Sequence, residues 1–232
     1  GGAQLGRLRR RRGAIAARHP QRRPGRDQAP GQHHAGEAGA DDPAGPAAVD
    51  AGGGASVDAP GGLSDQARLD LLFTREEEKL ARDVYDALDG NGQPFINIQA
   101  SEQRHFDAIG ALLTQYGLPD PAAGMGPGQF TDPVLQGLYT ELVARGAPAR
   151  VDALAVGCAI EELDLRDLAL ASEVTDAADI DATYASLMLG SRNHLRSFYG
   201  QLNAAGGTYT PVYLDQAAFD AVVNSPREQG GD

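Results

Sequence analysis

The 232-residue chain is acidic, with a formal net charge of −12, one cysteine, no tryptophan and 6% aromatic residues. One cysteine excludes an internal disulfide framework and a cysteine-built zinc site, and no apolar run is long enough to read as a membrane-spanning helix. The charge is split: residues 1–27 hold nine arginines against one acid (+8), while 28–232 hold 11 basic against 31 acidic residues (−20), so the body repels nucleic-acid phosphates and suits the attraction of cations.

Residues 1–62 read as a disordered segment. RLRRRR, RRPGR, GADDPAGPAA and DAGGGAS are rich in Arg, Gly, Pro and Ala, and such a stretch buries too little apolar surface to offset its ordering entropy. The arginine run reads either as a basic arm for nucleic acid or membrane, or as a plain leader. The leader reading is preferred, with neither partner expected. AIAA at 14–17 is too short for the apolar region of a signal peptide, which leaves the cytoplasm as the default expectation. His33 and His34 fall in this segment and are expected to be solvated.

Helical periodicity begins near residue 64, and residues 63–224 are expected to form one helical domain, followed by a disordered tail at 225–232. Thr74 with Glu77 has the spacing of a capping box, which places a first helix over about 75–88, stopped by DGNG. A second is expected over 95–116, with Ile98, His105, Ile109, Leu112 and Tyr116 on one stripe. AAGMGPGQF matches no phosphate-binding pattern and reads as a plain loop. TDP at 131–133 caps a short helix carrying Leu135, Leu138 and Leu142 and closed by Gly146. A third long helix spans about 150–171 with Leu154, Cys158, Leu165 and Leu168 inward. A fourth spans about 179–204 with Ile180, Tyr184, Leu187, Ser191, His194, Phe198 and Leu202 inward. YTPVYL is extended, and a short helix follows at 215–223. Nothing alternates with period two, so the class is all-α. Two helices joined by a short turn, a long crossover at 117–149 carrying a short helix, and then two more long helices are the arrangement of a ferritin-like four-helix bundle.

Of the five histidines only His105 and His194 fall in the helical region. Each lies on the inward stripe of a different helix, and the inward stripes also carry acids: Glu77 or Glu78, Glu102, and Glu161 or Glu162. Glu102 and His105 are three apart, so they reach one point between helices. Buried carboxylates without counter-charge cost several kcal/mol each. Divalent metal removes that cost, and imidazole with carboxylate suits iron, manganese or zinc. The competing account is a metal-free polar network in which Arg82, Arg104 or Arg192 neutralises the acids. Cys158 is expected as a small core residue, and Tyr85, Tyr184 and Phe198 are expected to pack about the site.

EEEKLARDVY (76–85), SEQRHFDAI (101–109), VDALAVGCAIEELDLRDL (151–168) and GSRNHLRSF (190–198) resemble, in this order, the domain of unknown function 2202 family, a member of the ferritin-like superfamily alongside rubrerythrin. The resemblance covers about 70–223. Rubrerythrin-like first helices carry Glu-x-x-Ala-x-x-x-Tyr, and Glu78, Ala81 and Tyr85 match that spacing. The resemblance thus implies Glu78 as a ligand, with Glu77, which periodicity alone slightly favours, in reserve. It implies the pair Glu102 and His105 on the second helix, Glu161 on the third with Glu162 and Asp164 in reserve, and His194 on the fourth. The fourth helix departs from the pattern, because Ser191 stands where the family motif has Glu. The implied cofactor is iron, one or two ions, with manganese or zinc as alternatives. The implied activity is redox chemistry toward oxygen or peroxide, with two cycling irons, bridging glutamates and terminal histidines. No rubredoxin-type cysteine pairs are present, so an external electron donor is expected, and a homodimer is the implied assembly. The alternative is a metal-free helical bundle acting as a structural or partner-binding module.

Overall fold

The computed structural model describes residues 62–230. The arginine-rich run and His33–His34 lie outside the described residues. Within them the chain is helical, with six α-helices, one 3₁₀ turn and no strand among the described residues.

Helix α1 spans Asp65–Ala87 and is capped by the Ser64 side chain, which accepts from the Ala67 amide. It starts about ten residues before the capping box expected at Thr74. Ala67, Leu71 and Thr74 are buried on the helix's inward side, so the stripe continues unbroken through Thr74. A 3₁₀ turn at Asp89–Asn91 and Gly92 at φ 73° reverse the chain. Helix α2 (Phe95–Gln115) follows. Helix α3 (Pro133–Gly146) has Pro in its first turn and the Asp132 carboxylate accepting from Val134. Helix α4 is Arg150–Ser172. Helix α5 is Ala178–Ala204, closed by Gly206 at φ 78°. Helix α6 (Gln216–Val223) is capped by Asp215.

The four long helices touch in a closed cycle, α1 to α2, α2 to α5, α5 to α4 and α4 to α1. Contacts fix their directions. Arg75 meets the Phe106 carbonyl, Arg82 meets Gln103 and Tyr85 meets Phe95, so α1 and α2 are antiparallel. Phe95 meets Phe198, His105 meets His194 and Tyr116 meets Asp179, so α2 and α5 are antiparallel. Arg150 meets Gln201, and Ser172 meets Asp181, so α4 and α5 are antiparallel too. Helices α2 and α4 therefore run the same way, and residues 116–149 carry the chain from one end of the molecule to the other. Helix α3, within that crossover, packs on α1 and α4, and α6 packs on α5, with Phe219 edge-on to Tyr199.

The core has two apolar layers. One gathers Leu80, Val84, Tyr85, Phe95, Ile98, Leu154, Cys158, Leu195 and Phe198 under α3. The other gathers Leu71, Ile109, Leu112, Leu168, Tyr184 and Leu187. Between them along every long helix stands buried polar material: Glu78 on α1, Glu102 and His105 on α2, Glu161 and Asp164 on α4, Ser191 and His194 on α5. Close helix approach depends on glycine at two places. A Cβ on Gly157 would stand 2.4 Å from the Phe198 ring, and one on Gly190 would stand 2.7 Å from His105 Nε2.

The C-terminal end of the described residues packs on α5. Residues 225–230, placed in the expected tail, are described, and Glu228 there pairs with Arg192 and Arg196 of α5. Two guanidiniums within reach of one carboxylate give this short segment a fixed partner.

Candidate metal centre

Each helix delivers its polar group by ordinary periodicity. On α1 the Glu78, Ala81 and Tyr85 positions share the inward side, all at most 1% exposed. On α2 the i, i+3 spacing of Glu102 and His105 stacks one over the other. On α4, Glu161 and Asp164 have the same relation, and on α5 His194 projects one turn after Ser191.

The result is two overlapping triads. Glu78, Glu102 and His105 form one; Glu102, Glu161 and His194 form the other; within each, potential ligand atoms lie no more than 4.8 Å apart. Glu102 belongs to both and divides its oxygens between them. Its Oε2 is 2.9 Å from His105 Nδ1, and its Oε1 is 2.8 Å from His194 Nδ1. His105 Nδ1 is also 3.4 Å from Glu78 Oε2, and His194 Nδ1 is 3.5 Å from Glu161 Oε2. The two imidazoles stack at 5.6 Å between centroids.

Burial sets the electrostatics of the layer. Burial raises the pKa of Glu78 to about 7 against the lowering effect of His105, and burial likewise raises Glu161. Asp164 is held well above the usual carboxylate range by burial, with Glu78, Glu161 and Glu102 adding to the effect. Burial also opposes the ionised form of Glu102, yet the two histidines overcome it and hold that carboxyl below its ordinary range. Burial alone would depress both imidazoles. Glu102 and Glu78 reverse this at His105, and Glu161 with Glu102 raises His194 to about 10.

The hydrogen bonding is incomplete. Among the described residues Glu78 Oε2, Glu102 Oε1, Glu161 Oε2, Asp164 Oδ2 and His194 Nδ1 are buried with no hydrogen bond. Glu102 Oε1 and His194 Nδ1 are close but misaligned for one. Native interiors rarely leave so many polar atoms unsatisfied, and Glu78, Glu102, Glu161 and His194 among them belong to the two triads that could hold cations. The donor set of oxygen with imidazole nitrogen fits iron, manganese or zinc, so the residues present suit the group.

Two of the three reserve residues, Glu162 and Glu77, stand outside the two triads. Glu162 is buried, but its Oε2 accepts from three successive backbone amides, Val212, Tyr213 and Leu214, at 2.8, 2.8 and 3.0 Å. It anchors the expected extended stretch YTPVYL to α4. Glu77 belongs to neither triad and acts electrostatically on Arg166 and Asp164. The arginines of the competing network are engaged outside the layer, Arg82 with Asp83 and Gln103 and Arg192 with Glu228, while Arg104 is exposed. Tyr85 packs with Phe95 and Phe198 and also donates from its hydroxyl to Glu161 Oε1 at 2.6 Å. Cys158 is buried in the apolar layer, and burial raises its thiol pKa, with Glu162 adding to the effect. Gly190 was not legible as a site residue. Its signal was a glycine in mid-helix, which costs about 1 kcal/mol relative to Ala and so needs a packing reason.

A family model described as an uncharacterized protein domain (DUF2202) matches residues 67–226. Uncharacterized protein MJ0754 of Methanocaldococcus jannaschii is 44% identical over 170 residues, covering 72% of this chain and 92% of that protein. The crystal structure of hypothetical protein MJ0754 from Methanococcus jannaschii superposes with a TM-score of 0.69 at 44% identity, covering 71% of this chain and 95% of that one.

Proposed function

The chain belongs to the DUF2202 family, and we propose that it is a ferritin-like four-helix bundle whose buried Glu/His layer binds a pair of metal ions, iron before manganese or zinc. The observation that carries this reading is Glu102. One carboxylate offers an oxygen to each of two histidines, each histidine has a further glutamate at 3.4–3.5 Å, and five polar atoms of the layer are left without hydrogen bonds. Helix directions support it as well: a short turn, a full-length crossover and a second antiparallel pair are the connections of ferritin-like carboxylate proteins, in which Glu and Glu-x-x-His groups project inward.

In this reading Glu78, Glu102 and His105 would hold one ion, and Glu102, Glu161 and His194 would hold the other. The Tyr85 hydroxyl fixes the rotamer of Glu161, and the apolar layers on either side keep bulk water from the carboxylates. Iron or manganese held there would supply redox chemistry toward an oxidant such as oxygen or peroxide, the class of an oxidoreductase. Reducing equivalents would come from an external donor, since one cysteine cannot supply a rubredoxin-type centre.

Metal analysis of protein purified without chelator tests the reading. The expected result is two ions per chain, with loss of metal in His105→Ala and Glu161→Ala. Ligand at 1,000 times its dissociation constant stabilises a fold by about 4 kcal/mol, so chelation is expected to lower the Tm of wild type by about 10 °C. Metal-free protein whose Tm ignores added iron, manganese and zinc overturns it. That outcome favours the second reading, a structural helical module in which two imidazoliums neutralise the acids, a state the raised pKa values of His105 and His194 support.

A further inference from the structure

The inward side of α5 is short of one acid. The position three residues before His194 is Ser191, 1% exposed, and its hydroxyl donates back to the Leu187 carbonyl at 3.2 Å. The inward side of α4 has one acid more than the two triads use. Asp164 lies one turn beyond Glu161, is 3% exposed, and leaves Oδ2 without a hydrogen bond. No lysine or arginine forms an ion pair with Asp164 among the described residues.

We propose that Asp164 is the fourth carboxylate of the metal centre, supplying from α4 the ligand that Ser191 leaves missing on α5. This rests on the metal-binding reading above. Charge balance is the physical argument. Glu78, Glu102 and Glu161 leave two divalent cations with one excess positive charge between apolar layers, and an uncompensated buried charge is strongly destabilising. Adding Asp164 gives four carboxylates and two imidazoles, the count that two helices with one Glu each and two with Glu-x-x-His supply. The electrostatic neighbours of Asp164 agree, because Glu78, Glu161 and Glu102 are the charges that act on it most after burial itself. A site built this way needs no carboxylate on α5, which leaves Ser191 free to be small.

The test counts ions and their affinities, without any activity assay, in Asp164→Asn, Ser191→Glu and the double variant, loaded anaerobically with ferrous iron and separately with manganese. Wild type is expected to hold two ions. Asp164→Asn is expected to bind the second at least about tenfold more weakly, the scale on which groups supporting a metal site act. The double variant is expected to recover it, because the carboxylate returns from the other side. A purely structural role for Asp164 would lower the Tm of the metal-free variant and would not be rescued by Ser191→Glu. Asp164→Asn holding two ions at wild-type affinity overturns the proposal and leaves the metal reading standing. A folded double variant that fails to regain the second ion also overturns it. Wild type that binds no metal removes the metal reading itself, and this proposal with it.

Discussion

Helix α1 buries charge on two sides, and the two are treated in opposite ways. On the side facing the crossover, Arg75 is forked onto Asp120, Glu76 accepts from the amides of Thr131 and Asp132, and Lys79 binds Asp83 and the Gly126 carbonyl. Asp83 also accepts from Arg82 and from the Gly128 amide. On the side facing the interior, the ion pairs of Glu78, Glu102 and Glu161 among the described residues are all to histidine, and polar atoms are left over. Both sets are buried, so burial does not tell them apart. Their hydrogen bonding differs: the outer side chains are each engaged, while the inner set leaves buried oxygens and a ring nitrogen without a hydrogen bond.

This contrast can be broken most forcefully on the outer side. Asp83→Leu leaves Lys79 buried and unpaired, so it is expected to cost about 3–5 kcal/mol and to lower the Tm by about 10 °C or more in a calorimetric scan. Metal stoichiometry should not change. Loss of metal with an unchanged Tm would mean that the two sides are not independent. The next effect is expected at the boundary with the inner set. Gly190→Ala pushes a methyl into the His105 ring, an overpacking that costs about 1–3 kcal/mol, and it should weaken metal binding through the His105 triad. Wild-type affinity in a folded Gly190→Ala protein would show that the ring has somewhere else to go.

The inner side sharpens the contrast through its sign. Glu78→Gln removes a carboxylate that burial already disfavours in the ionised form. In metal-free protein it is expected to be neutral or slightly stabilising, within about 1 kcal/mol, while metal affinity falls. Destabilisation of the metal-free variant comparable to Asp83→Leu would place Glu78 with the outer, engaged set instead. The smallest effect is expected at the surface. Arg192 and Arg196 hold Glu228 down to about 2. A carboxylate depressed in the folded state stabilises in full above its unfolded pKa, so this contribution is complete above about pH 4.5 and is lost as the pH falls through about 2. Glu228→Gln should cost less than about 1 kcal/mol at neutral pH and should flatten that part of an acid-unfolding curve.

Much of the architecture was written in local periodicity. Helices α2 to α6 begin and end within two residues of the expected bounds because Gly92, Asp132, Gly146 and Gly206 punctuate apolar stripes. The start of α1 was not legible, since Thr74 and Glu77 imitate a helix terminus while burial keeps Thr74 in mid-helix. The i, i+3 relation of Glu102 to His105 was legible for the same reason as the helices. The choice between Glu77 and Glu78 was not, because neighbours on a helix differ by about 100° and both are buried. Helix α4 is covered by α1, α3, α5 and the stretch at 212–214, so Glu161 and Glu162 are equally enclosed and periodicity says little about which faces inward. The links from the outer charges to the crossover were illegible on principle, since those partners lie about 45–56 residues apart in the chain; only Lys79 with Asp83 and Arg82 with Asp83 are local.

Glu162 ties the stretch at 212–214 to the residue next to Glu161. Cutting the chain back before Val212 would therefore strand an enclosed anion beside the innermost carboxylates, and a trim far along the sequence would be felt where the two imidazoles meet.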